Sequence, residues 1–509
     1  MTKDSNRSVW PGTRLFWLMV AAFVVFTYLF GLTMPLVGPD EPRYAQVARE
    51  MFERGDWITP TLGGYHWFEK PALLYWLQIA SYSLFGVSEF AARFGSALFG
   101  LGTIACMWFF GRSAETGRSA IRFAELLALM VASSIGIIVF SRGASFDIIL
   151  TFPLTAALVS YFLYDRGEAS GTVKPLPLTL FYFFIGVALL AKGLVGIVFP
   201  FAIVAFYHFL AWKMPSRTAI LSLFWGTALA IVVAGSWYLP MYLKHGLPFV
   251  DEFFVQHHFQ RYTSNKYFHP QPFYFFLWVL PLMTIPWLPF FLVGLYSSAK
   301  QLFGWGHGTK SDDGSRQLAD RPHLLFAFAW LLVPLAFFSF SGSKLPGYIL
   351  PALPPCVLLA ALYAQRFVGT DRRRAVLIVA VAGLTFATII ALLLTAVPSY
   401  ADNDSVKRLI AESDARGFSG AEVLSQHAIS HNAEFYAAGR LLRTEDGKQQ
   451  RLYSPAEILN EIRRRKGDTV LVLVPNEWAH QTLESPLLTA ELIAKNSENS
   501  LIAARENQP

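Results

Sequence analysis

The feature that most constrains this chain is a series of apolar runs, each long enough to cross a lipid bilayer. A bilayer core of about 30 Å needs about 20 apolar residues in helical conformation. The run at 176–212 is too long for one helix, and we expect it to divide at Lys192-Gly193, because a lysine is costly at mid-membrane. The pattern predicts a polytopic α-helical membrane protein with about 11 transmembrane helices, within a range of about 9 to 13. The runs lie at residues 15–37, 85–111, 123–141, 147–164, 176–212, 217–240, 271–298, 323–341, 346–365 and 375–397.

Composition favours a membrane protein over the other classes. Of the 509 residues, 54% are hydrophobic and only 15% are charged, which does not describe a soluble surface. The two cysteines exclude a disulfide framework, and no Cys/His spacing suggests zinc. The net charge of +7 could indicate nucleic acid, but the charges lie at the ends of apolar runs and form no basic stripe. We expect no metal, no other cofactor and no nucleic-acid partner.

The basic residues between the runs predict which face of the membrane each loop occupies. Lys3, Arg7 and Arg14 precede the first run, which lacks a small-residue cleavage site, so we expect it to be retained. With a cytoplasmic N-terminus, the basic loops follow the positive-inside rule. These loops carry Arg112, Arg118, Arg122, Arg166, Lys174, Lys213, Arg217 and residues 300–321 and 366–374. The opposite face then receives residues 38–84, 142–147, the turn at 192, 241–270, 341–344 and the C-terminal tail.

Residues 398–509 differ from the rest, because their apolar runs are shorter and their charge is higher. The sequence Ser-Pro-Ala-Glu at 454–457 fits a capping box with proline at the first helical position, and predicts a helix through Arg464. The sequence Thr-Val-Leu-Val-Leu-Val at 469–474 is typical of a buried strand. We predict a transmembrane domain over 1–397, whose first outer loop is 38–84, and a small extracytoplasmic α/β domain over 398–509.

An amphipathic helix is predicted directly after the first run. Apolar residues recur at helical spacing from Tyr44 to Phe52, and Gly55 is the expected stop. The other face is charged, so the helix should lie flat in the membrane interface. Asp40 precedes this helix at the membrane surface. It could be an N-cap, a functional acid, or both.

Three lysines in the outer loops suggest a site for a phosphate. Lys70 follows Glu69 between aromatic residues, and it could bind a phosphate or extend to a lipid headgroup. Lys192 and Lys344 are each a single cation in a tight, glycine-containing turn. Contact with lipid headgroups explains such a position less well than phosphate binding does. Three cations on one face predict a site for a polyanion.

Two further groups on this face are weaker candidates. Asp147 could be a buried acid paired with Arg142, or a helix cap, and acids within a membrane are functional hypotheses by default. His257 and His258 are adjacent and would point in different directions on a helix, so they make a weak metal signal. We interpret residues 249–273 as an aromatic interface segment with one potential substrate contact.

The outer polar groups fit a reaction that uses an already activated donor. The sequence contains no Walker A motif and no Rossmann fingerprint. A membrane-bound donor with a phosphate leaving group would meet the requirement. Lysines would neutralise the charge that develops on the phosphate, and a carboxylate would orient or deprotonate the attacking group. Composition and spacing lead no further than this.

Six short motifs occur in order along most of the membrane part of the chain. They are Gly38-Pro39-Asp40-Glu41-Pro42-Arg43-Tyr44-Ala45, Gly55-Asp56-Trp57-Ile58, Phe68-Glu69-Lys70-Pro71, Ala191-Lys192-Gly193, His257-x-x-Gln260-Arg261-Tyr262 and Gly342-Ser343-Lys344-Leu345-Pro346-Gly347-Tyr348-Ile349-Leu350-Pro351. Together they resemble the bacterial lipid A aminoarabinose transferases, within the dolichyl-phosphate-mannose-protein mannosyltransferase-like superfamily. The resemblance implies a GT-C fold and an inverting, metal-independent transfer of a sugar from a polyprenyl phosphate. It also implies a bacterial inner-membrane location with a periplasmic site.

The same resemblance implies roles for single residues. Asp40 would be the principal acid, and the pair Glu69 and Lys70 would complete the catalytic group. The donor phosphate would be held by Lys70, Lys192, Arg43, Lys344 and Tyr348, and further substrate contacts would come from Tyr44, Asp147, His257 and Arg261.

Departures from the family pattern bear on the substrate more than on the fold. Pro42 stands where the family commonly has threonine, Ser145-Phe146-Asp147-Ile148 replaces a Leu-Asp-Pro pattern, and the His257 loop lacks a nearby glutamate. The predicted reaction moves a sugar, such as 4-amino-4-deoxy-L-arabinose, from undecaprenyl phosphate to lipid A or a related glycolipid. Two alternatives stay open: transfer to a protein or glycan hydroxyl, and a lipid-linked sugar flippase. The near absence of ionisable residues in the cytoplasmic halves of the runs disfavours the flippase.

Overall fold

The computed structural model describes residues 13–114, 119–172, 174–260, 270–303, 314–465 and 468–507. Contacts divide the chain into two units. The helical unit comprises the chain up to Phe30, Phe68–Leu74 and Phe94–Ile390, and the mixed unit comprises Gly31–Trp67, Tyr75–Arg93 and the chain from Ala391 onward. The division at residue 397 stays a prediction, since the mixed unit also takes in segments near the N-terminus.

Most of the chain is helical. The helices up to residue 394 are α1 (Thr13–Leu29), α2 (Asp40–Arg54), α3 (Leu73–Phe85), α4 (Glu89–Ser113), α5 (Phe123–Ala132), α6 (Ile135–Ser141), α7 (Phe146–Ala169), α8 (Pro175–Lys192), α9 (Val195–Ala211), α10 (Arg217–Val250), α11 (Phe275–Met283), α12 (Leu288–Phe303), α13 (Gly314–Ser339), α14 (Leu353–Val368) and α15 (Arg372–Leu394). A π-helix at Asp251–Gln260 extends α10, and a 3-10 helix at Pro346–Ala352 precedes α14. A short hairpin pairs β1 (Thr61–Leu62) with β2 (Tyr65–His66).

The long apolar helices confirm a polytopic helical membrane protein. Within the described residues, seven helices are long and apolar enough to cross a membrane, or up to nine if each of two bent pairs is one span. The bent pairs are α5 with α6, at 58°, and α11 with α12, at 117°. The helices α1, α3 and α9 are apolar but shorter. The total of about 11 spans stays a prediction.

Two predicted spans are broken, and one extends further than expected. Between α5 and α6, the hydroxyls of Ser133 and Ser134 donate to the carbonyls of Leu129 and Met130, both at 2.7 Å, which competes with the regular helical ladder. We expected single spans at 123–141 and at 271–298, and the second of these is divided into α11 and α12. We also expected the span from residue 217 to end at 240, whereas α10 continues to Val250 through a kink at Gly246, whose φ is 61°.

The predicted division at Lys192-Gly193 is confirmed. Helix α8 ends at Lys192, Gly193 follows with φ 68°, and α9 begins at Val195. The two helices meet closely after this turn. A Cβ added at Gly196 would lie 2.5 Å from the carbonyl oxygen of Ala188, so only glycine permits this approach.

The C-terminal part of the mixed unit is a five-stranded sheet with helices. The sheet has the order β4-β3-β5-β7-β6, in which β3 pairs in parallel with β4 and β5, and the other pairs are antiparallel. Its strands are β3 (Val423–Gln426), β4 (Arg451–Leu452), β5 (Val470–Pro475), β6 (Leu488–Lys495) and β7 (Asn499–Glu506). Its helices are α16 (Ala396–Asp404), α17 (Lys407–Ser413), α18 (Ala433–Tyr436), α19 (Pro455–Arg464) and α20 (Ala479–Leu483). A π-helix at Asp414–Phe418 and a 3-10 helix at Asn476–Trp478 complete it.

The sheet has an apolar core on each face. Leu471 and Leu473 of β5 pack in one cluster, and the alternate residues Val470, Val472 and Val474 pack in the other, as the two-residue period of a strand requires. The predicted strand and the predicted helix α19 are therefore confirmed.

The start of α19 follows the predicted capping box only in part. Ser454 accepts from the backbone N–H of Glu457 at 3.3 Å, as expected. The Glu457 carboxylate, however, accepts from the N–H of Tyr453 at 2.7 Å, one residue before the cap.

Candidate functional site

An ion pair in the helical unit joins the end of α8 to the start of α7. Lys192 donates to Oδ1 of Asp147, and both side chains are largely buried, with 18% of each exposed. The N-cap of α7 is Ser145, whose hydroxyl accepts from the Asp147 N–H at 3.2 Å, so the prediction that Asp147 is a cap is wrong. The predicted pairing with Arg142 is also wrong, because Arg142 donates to the backbone carbonyls of Thr27 and Phe30.

The segment around Tyr348 packs against this ion pair. The Lys192 ammonium lies 4.8 Å from the centre of the Tyr348 ring, in the range of a cation–π contact. A Cβ added at Gly347 would overlap Oδ2 of Asp147 and lie 2.6 Å from its carboxyl carbon. The carboxylate therefore depends on a glycine at this position. The structure brings together three predicted site residues, Asp147, Lys192 and Tyr348.

Lys344 is held by two backbone carbonyls, one in its own turn and one in the segment before α11. Its ammonium donates to the carbonyls of Ser341 at 2.6 Å and Gln271 at 3.1 Å, and only 6% of the residue is exposed. Burial lowers the pKa of the Lys344 ammonium. Two of its three N–H donors are thus already engaged, one within the turn and one with the segment before α11, and its role in phosphate binding stays a prediction.

Glu69 and Lys70 form a second ion pair in the helical unit. The Lys70 ammonium lies 2.9 Å from Oε1 of Glu69, and both side chains are mostly buried. The preceding Phe68 packs against His245 and Phe249, with ring centres 5.0 and 5.6 Å apart. This buried pairing disfavours the alternative in which Lys70 extends to a lipid headgroup.

Asp40 lies in the mixed unit, as the first residue of α2. The N-cap is Pro39, and the Asp40 carboxylate accepts from the Arg43 guanidinium at 2.5 Å. The prediction that Asp40 caps the helix is therefore wrong. Half of its side chain is exposed, so the carboxylate is accessible at a helix N-terminus, where the dipole favours negative charge. Arg43 also donates to the Pro39 carbonyl at 2.8 Å, which fixes it beside Asp40.

The end of α2 follows the prediction. Gly55 adopts φ 65°, its N–H donates to the carbonyl of Phe52, and the N–H of Asp56 donates to that of Met51. These two bonds form a Schellman motif. The start and the end of the helix that carries Asp40 are thus both fixed by local contacts.

Two residues that the sequence did not single out hold the start of α2. Arg93 donates to both carboxylate oxygens of Glu41, at 3.0 and 2.6 Å, and it is 5% exposed. It also donates to the carbonyls of the chain leading into α2, those of Leu32, Met34 and Pro35. An arginine inside an apolar run was the only signal that could have revealed this anchor.

His431 is a further group near Asp40 that sequence reasoning missed. Partial burial, and then the positive charge of Arg43, lower the pKa of His431, whereas the charge of Asp40 raises it. His431 follows β3, so the mixed unit brings this imidazole into the electrostatic surroundings of Asp40 and Arg43. No sequence spacing links these positions.

The roles of the other predicted substrate contacts, Tyr44, His257 and Arg261, stay predictions. Tyr44 is buried in α2, with 6% exposed. His257 belongs to the π-helix but its side chain lies outside the described residues, as does all of Arg261. Across the described residues, no group of three His, Cys, Asp or Glu is arranged to hold a metal ion. Metal independence stays a prediction.

Comparisons with known proteins agree with the fold. The family described as dolichyl-phosphate-mannose-protein mannosyltransferase matches residues 14–250. The crystal structure of ArnT from Cupriavidus metallidurans bound to undecaprenyl phosphate is 22% identical, with a TM-score of 0.73 over 96% of this chain and 97% of that one. An archaeal oligosaccharyltransferase, AglB from Archaeoglobus fulgidus, is 14% identical, with a TM-score of 0.54 over 91% of this chain and 69% of that one.

The sequence relatives are undecaprenyl phosphate-alpha-4-amino-4-deoxy-L-arabinose arabinosyl transferases. The one from Serratia proteamaculans is 32% identical over 365 residues, which is 70% of this chain and 60% of that protein. The one from Yersinia pestis is 31% identical over 383 residues, which is 74% of this chain and 64% of that protein. The chain thus matches a little under two thirds of these relatives' length. The chain therefore has the GT-C fold of multi-pass membrane proteins, and its sequence is similar to the dolichyl-phosphate-mannose-protein mannosyltransferase family and to the aminoarabinose transferases.

Proposed function

We propose that the protein transfers a sugar from an undecaprenyl phosphate donor to lipid A or a related glycolipid, with 4-amino-4-deoxy-L-arabinose as the leading candidate sugar. The observation that carries the proposal is the pair of mostly buried lysines in the helical unit, Lys70 and Lys192, each neutralised by a carboxylate. A phosphate oxygen can join or replace a carboxylate as the acceptor of an ammonium N–H. The relatives' names supply the class of donor, and the resemblance of the motifs to the lipid A aminoarabinose transferases suggests the acceptor.

In this proposal the lysines act on the leaving group. The bond between the sugar's anomeric carbon and the donor phosphate breaks, and a bond from that carbon to an acceptor oxygen forms with inversion. Lys70 and Lys192 stabilise the negative charge on the departing polyprenyl phosphate, and Tyr348 holds the Lys192 ammonium in place. Both ammonium groups are shielded from water by burial, so their interaction with phosphate is stronger than at a surface.

Asp40 acts on the acceptor. Its exposed carboxylate, oriented by Arg43, is suited to accept a hydrogen bond from an acceptor group. An acceptor phosphate already attacks as an oxyanion and needs only orientation, whereas a hydroxyl acceptor would need Asp40 as a general base.

The proposed location is the bacterial inner membrane, with the N-terminus in the cytoplasm and both the site and the C-terminal sheet in the periplasm. The distribution of basic loops supports this orientation. The seven long apolar helices, the two bent pairs counted as one span each, and the shorter helices α1 and α9 would together give the predicted total of about 11 spans. Labelling of single cysteines introduced at exposed positions of α16 and near residue 213, with a membrane-impermeant reagent, tests the orientation.

The reaction is tested with purified protein, undecaprenyl phosphate-linked aminoarabinose and lipid A. Asp40→Asn and Lys70→Ala should each abolish transfer. Asp40→Asn should leave the yield and thermal stability unchanged, whereas Lys70→Ala should lower the stability of a still folded protein, because Glu69 loses its partner. The matched controls are Glu53→Gln, an exposed acid at the other end of α2, and Lys300→Ala, an exposed lysine on α12. Full activity in both site variants would refute the proposal.

A second candidate is transfer to a protein or glycan hydroxyl. The match to the protein mannosyltransferase family over residues 14–250 favours it. In cells with and without the gene, a sugar found on a protein fraction, with the mass of lipid A unchanged, would select this candidate. A lipid A mass increase that requires Asp40 would select the first.

A further inference from the structure

The sheet of the mixed unit has a topological switch point. The chain runs from β3 to β4 on one side of β3, and then to β5 on the other side, and all three strands are parallel. In open sheets of this kind, ligands bind outside the carboxyl ends of the strands, where the connections diverge. The switch point lies between β3 and β5, at the residues that follow Gln426 and Pro475.

Aromatic side chains occupy this edge. His427 follows β3, Tyr453 follows β4, and Trp478 ends the 3-10 helix after β5. The His427 ring stacks on Trp478, with centres 4.7 Å apart and planes at 30°, and it meets Tyr453 edge-on at 6.1 Å. Tyr453 is 56% exposed and Trp478 is 38% exposed. We call these three residues the aromatic platform.

The backbone under the aromatic platform is strained. His427 has φ 62°, and the N–H of Ala428 donates to the Gln426 carbonyl at 2.8 Å, which closes a γ-turn with a left-handed residue at its centre. Such turns are rare for a residue other than glycine, and backbone strain of this kind clusters at binding sites. A Gln481 contact at 2.8 Å fixes the orientation of the imidazole.

A buried amide beside the platform has unused hydrogen-bonding capacity. Oε1 of Gln426 accepts from Thr482 at 2.6 Å, but its Nε2 is buried with no partner among the described residues. Leaving a buried donor unpaired is unfavourable, so the Gln426 amide is a further point of strain beside the platform.

The chemistry of the edge selects a neutral, hydroxyl-rich ligand. The segments 427–432 and 476–484 contain no lysine and no arginine, and no glycine-rich loop follows β3, so a nucleotide phosphate has nothing to hold it. Exposed Trp and Tyr rings have apolar faces and polar edges, which match the C–H face and the hydroxyls of a sugar ring.

The platform is also close along the chain to the proposed acid. His431, which interacts electrostatically with Asp40 and Arg43, is four residues after His427. Four residues span at most about 14 Å, the length of two or three sugar rings. His427 therefore lies within about 14 Å of His431, a distance that a saccharide of this length spans.

We propose that the aromatic platform of His427, Tyr453 and Trp478 binds a sugar ring of the glycolipid acceptor and positions the acceptor for transfer. The assignment to the acceptor rests on the proposed function, whereas saccharide binding at the platform does not. These residues are positioning residues, because they contact the acceptor away from the reacting atoms.

Binding is measured by calorimetry on the full chain in detergent, with deacylated lipid A as the probe. Trp478→Ala and Tyr453→Ala should each weaken binding about tenfold, and Trp478→Phe should retain most of it. Because the segments 427–432 and 476–484 carry no lysine and no arginine, the unphosphorylated, neutral N-acetylglucosamine disaccharide should bind with the same dependence on Trp478. Tyr400→Ala removes a tyrosine that is 62% exposed in the same unit and should have no effect.

Unchanged binding in both alanine variants, an equal loss in Tyr400→Ala, or no binding of the disaccharide would each overturn the proposal. Thermal unfolding and binding of undecaprenyl phosphate verify that the variants are folded. In the transfer assay, Trp478→Ala should raise the acceptor KM about tenfold and leave kcat and the donor KM unchanged.

The two proposals fail in different ways. Trp478-dependent binding without any transfer by the wild type would overturn the proposed function and retain the platform. Transfer with an unchanged acceptor KM in Trp478→Ala would overturn the platform and retain the function.

Discussion

The contact between Gly347 and the Asp147 carboxylate allows a sharp test of the Asp147–Lys192 pair. A methyl group at residue 347 would lie 2.6 Å from the Asp147 carboxyl carbon, whereas carbon atoms in contact are about 3.5–4.0 Å apart. In Gly347→Ala the carboxylate must therefore retreat by about 1 Å. The residue at 347 does not have a left-handed φ, so the cost comes from packing and from the ion pair.

The size of the effect follows from these contacts. Overpacking of this kind lowers the free energy of unfolding by about 1–3 kcal/mol. The loss is larger if the mostly buried Asp147–Lys192 ion pair also opens. We expect the free energy of unfolding to fall by at least about 1 kcal/mol. If Lys192 holds the donor phosphate, a misplacement of about 1 Å should also slow transfer about 100-fold.

The assay is thermal unfolding of the purified protein in detergent, followed by the transfer rate. Gly235→Ala is the matched control, since a Cβ at Gly235 in α10 meets no atom within 4 Å and should be neutral or slightly stabilising. Asp147→Ala alone should also lower the stability, because it leaves the Lys192 ammonium without its carboxylate. Adding Gly347→Ala to Asp147→Ala should then cost less stability than Gly347→Ala costs in the wild type, because the overlapping carboxylate is gone. Wild-type stability and rate in Gly347→Ala would refute the reasoning.

Arg93→Met should lower the free energy of unfolding by about 3–5 kcal/mol, because it leaves the Glu41 carboxylate buried without its arginine; an unchanged melting temperature would contradict this. The lowered pKa of His431 means that folding favours the neutral ring, so stability should fall as pH drops below the ordinary histidine pKa of about 6.5; His431→Gln should flatten this shallow slope, measured as melting temperature against pH. Transfer should be unaffected by EDTA, and loss of activity that a divalent metal restores would show that the expected metal independence is wrong.

Local features of the sequence predicted local structure well. The apolar runs marked the long helices, because a span needs a continuous apolar stretch that is visible in one dimension. Lys192-Gly193, Gly55 and Ser454 marked helix ends, because caps and left-handed residues depend on immediate neighbours. The breaks between α5 and α6 and between α11 and α12 were missed. Serine hydroxyls such as those of Ser133 and Ser134, and a proline such as Pro286 between α11 and α12, can be tolerated in a span or can interrupt it.

The partners of the charged residues could not be predicted. Asp147 pairs with Lys192, 45 residues away, and Glu41 pairs with Arg93, 52 residues away. Such pairs depend on how helices pack, and the sequence showed only that each charge was unusual. For the same reason Lys344 looked like a free cation, whereas it donates to two carbonyls.

The two carboxylate–lysine pairs of the helical unit have a consequence for turnover. A site built from bare cations would hold a spent polyprenyl phosphate tightly and would be slow to release it. Here Lys70 and Lys192 each have a carboxylate as a neighbour. In the proposed reaction, a departing phosphate would leave behind ammonium groups that already have counter-ions, and the carboxylates would compete with the phosphate for the same N–H donors. If these lysines bind the donor as proposed, the ion pairs lower the affinity for the carrier lipid and speed its release. Their effect on the overall rate should then appear in the product-release step.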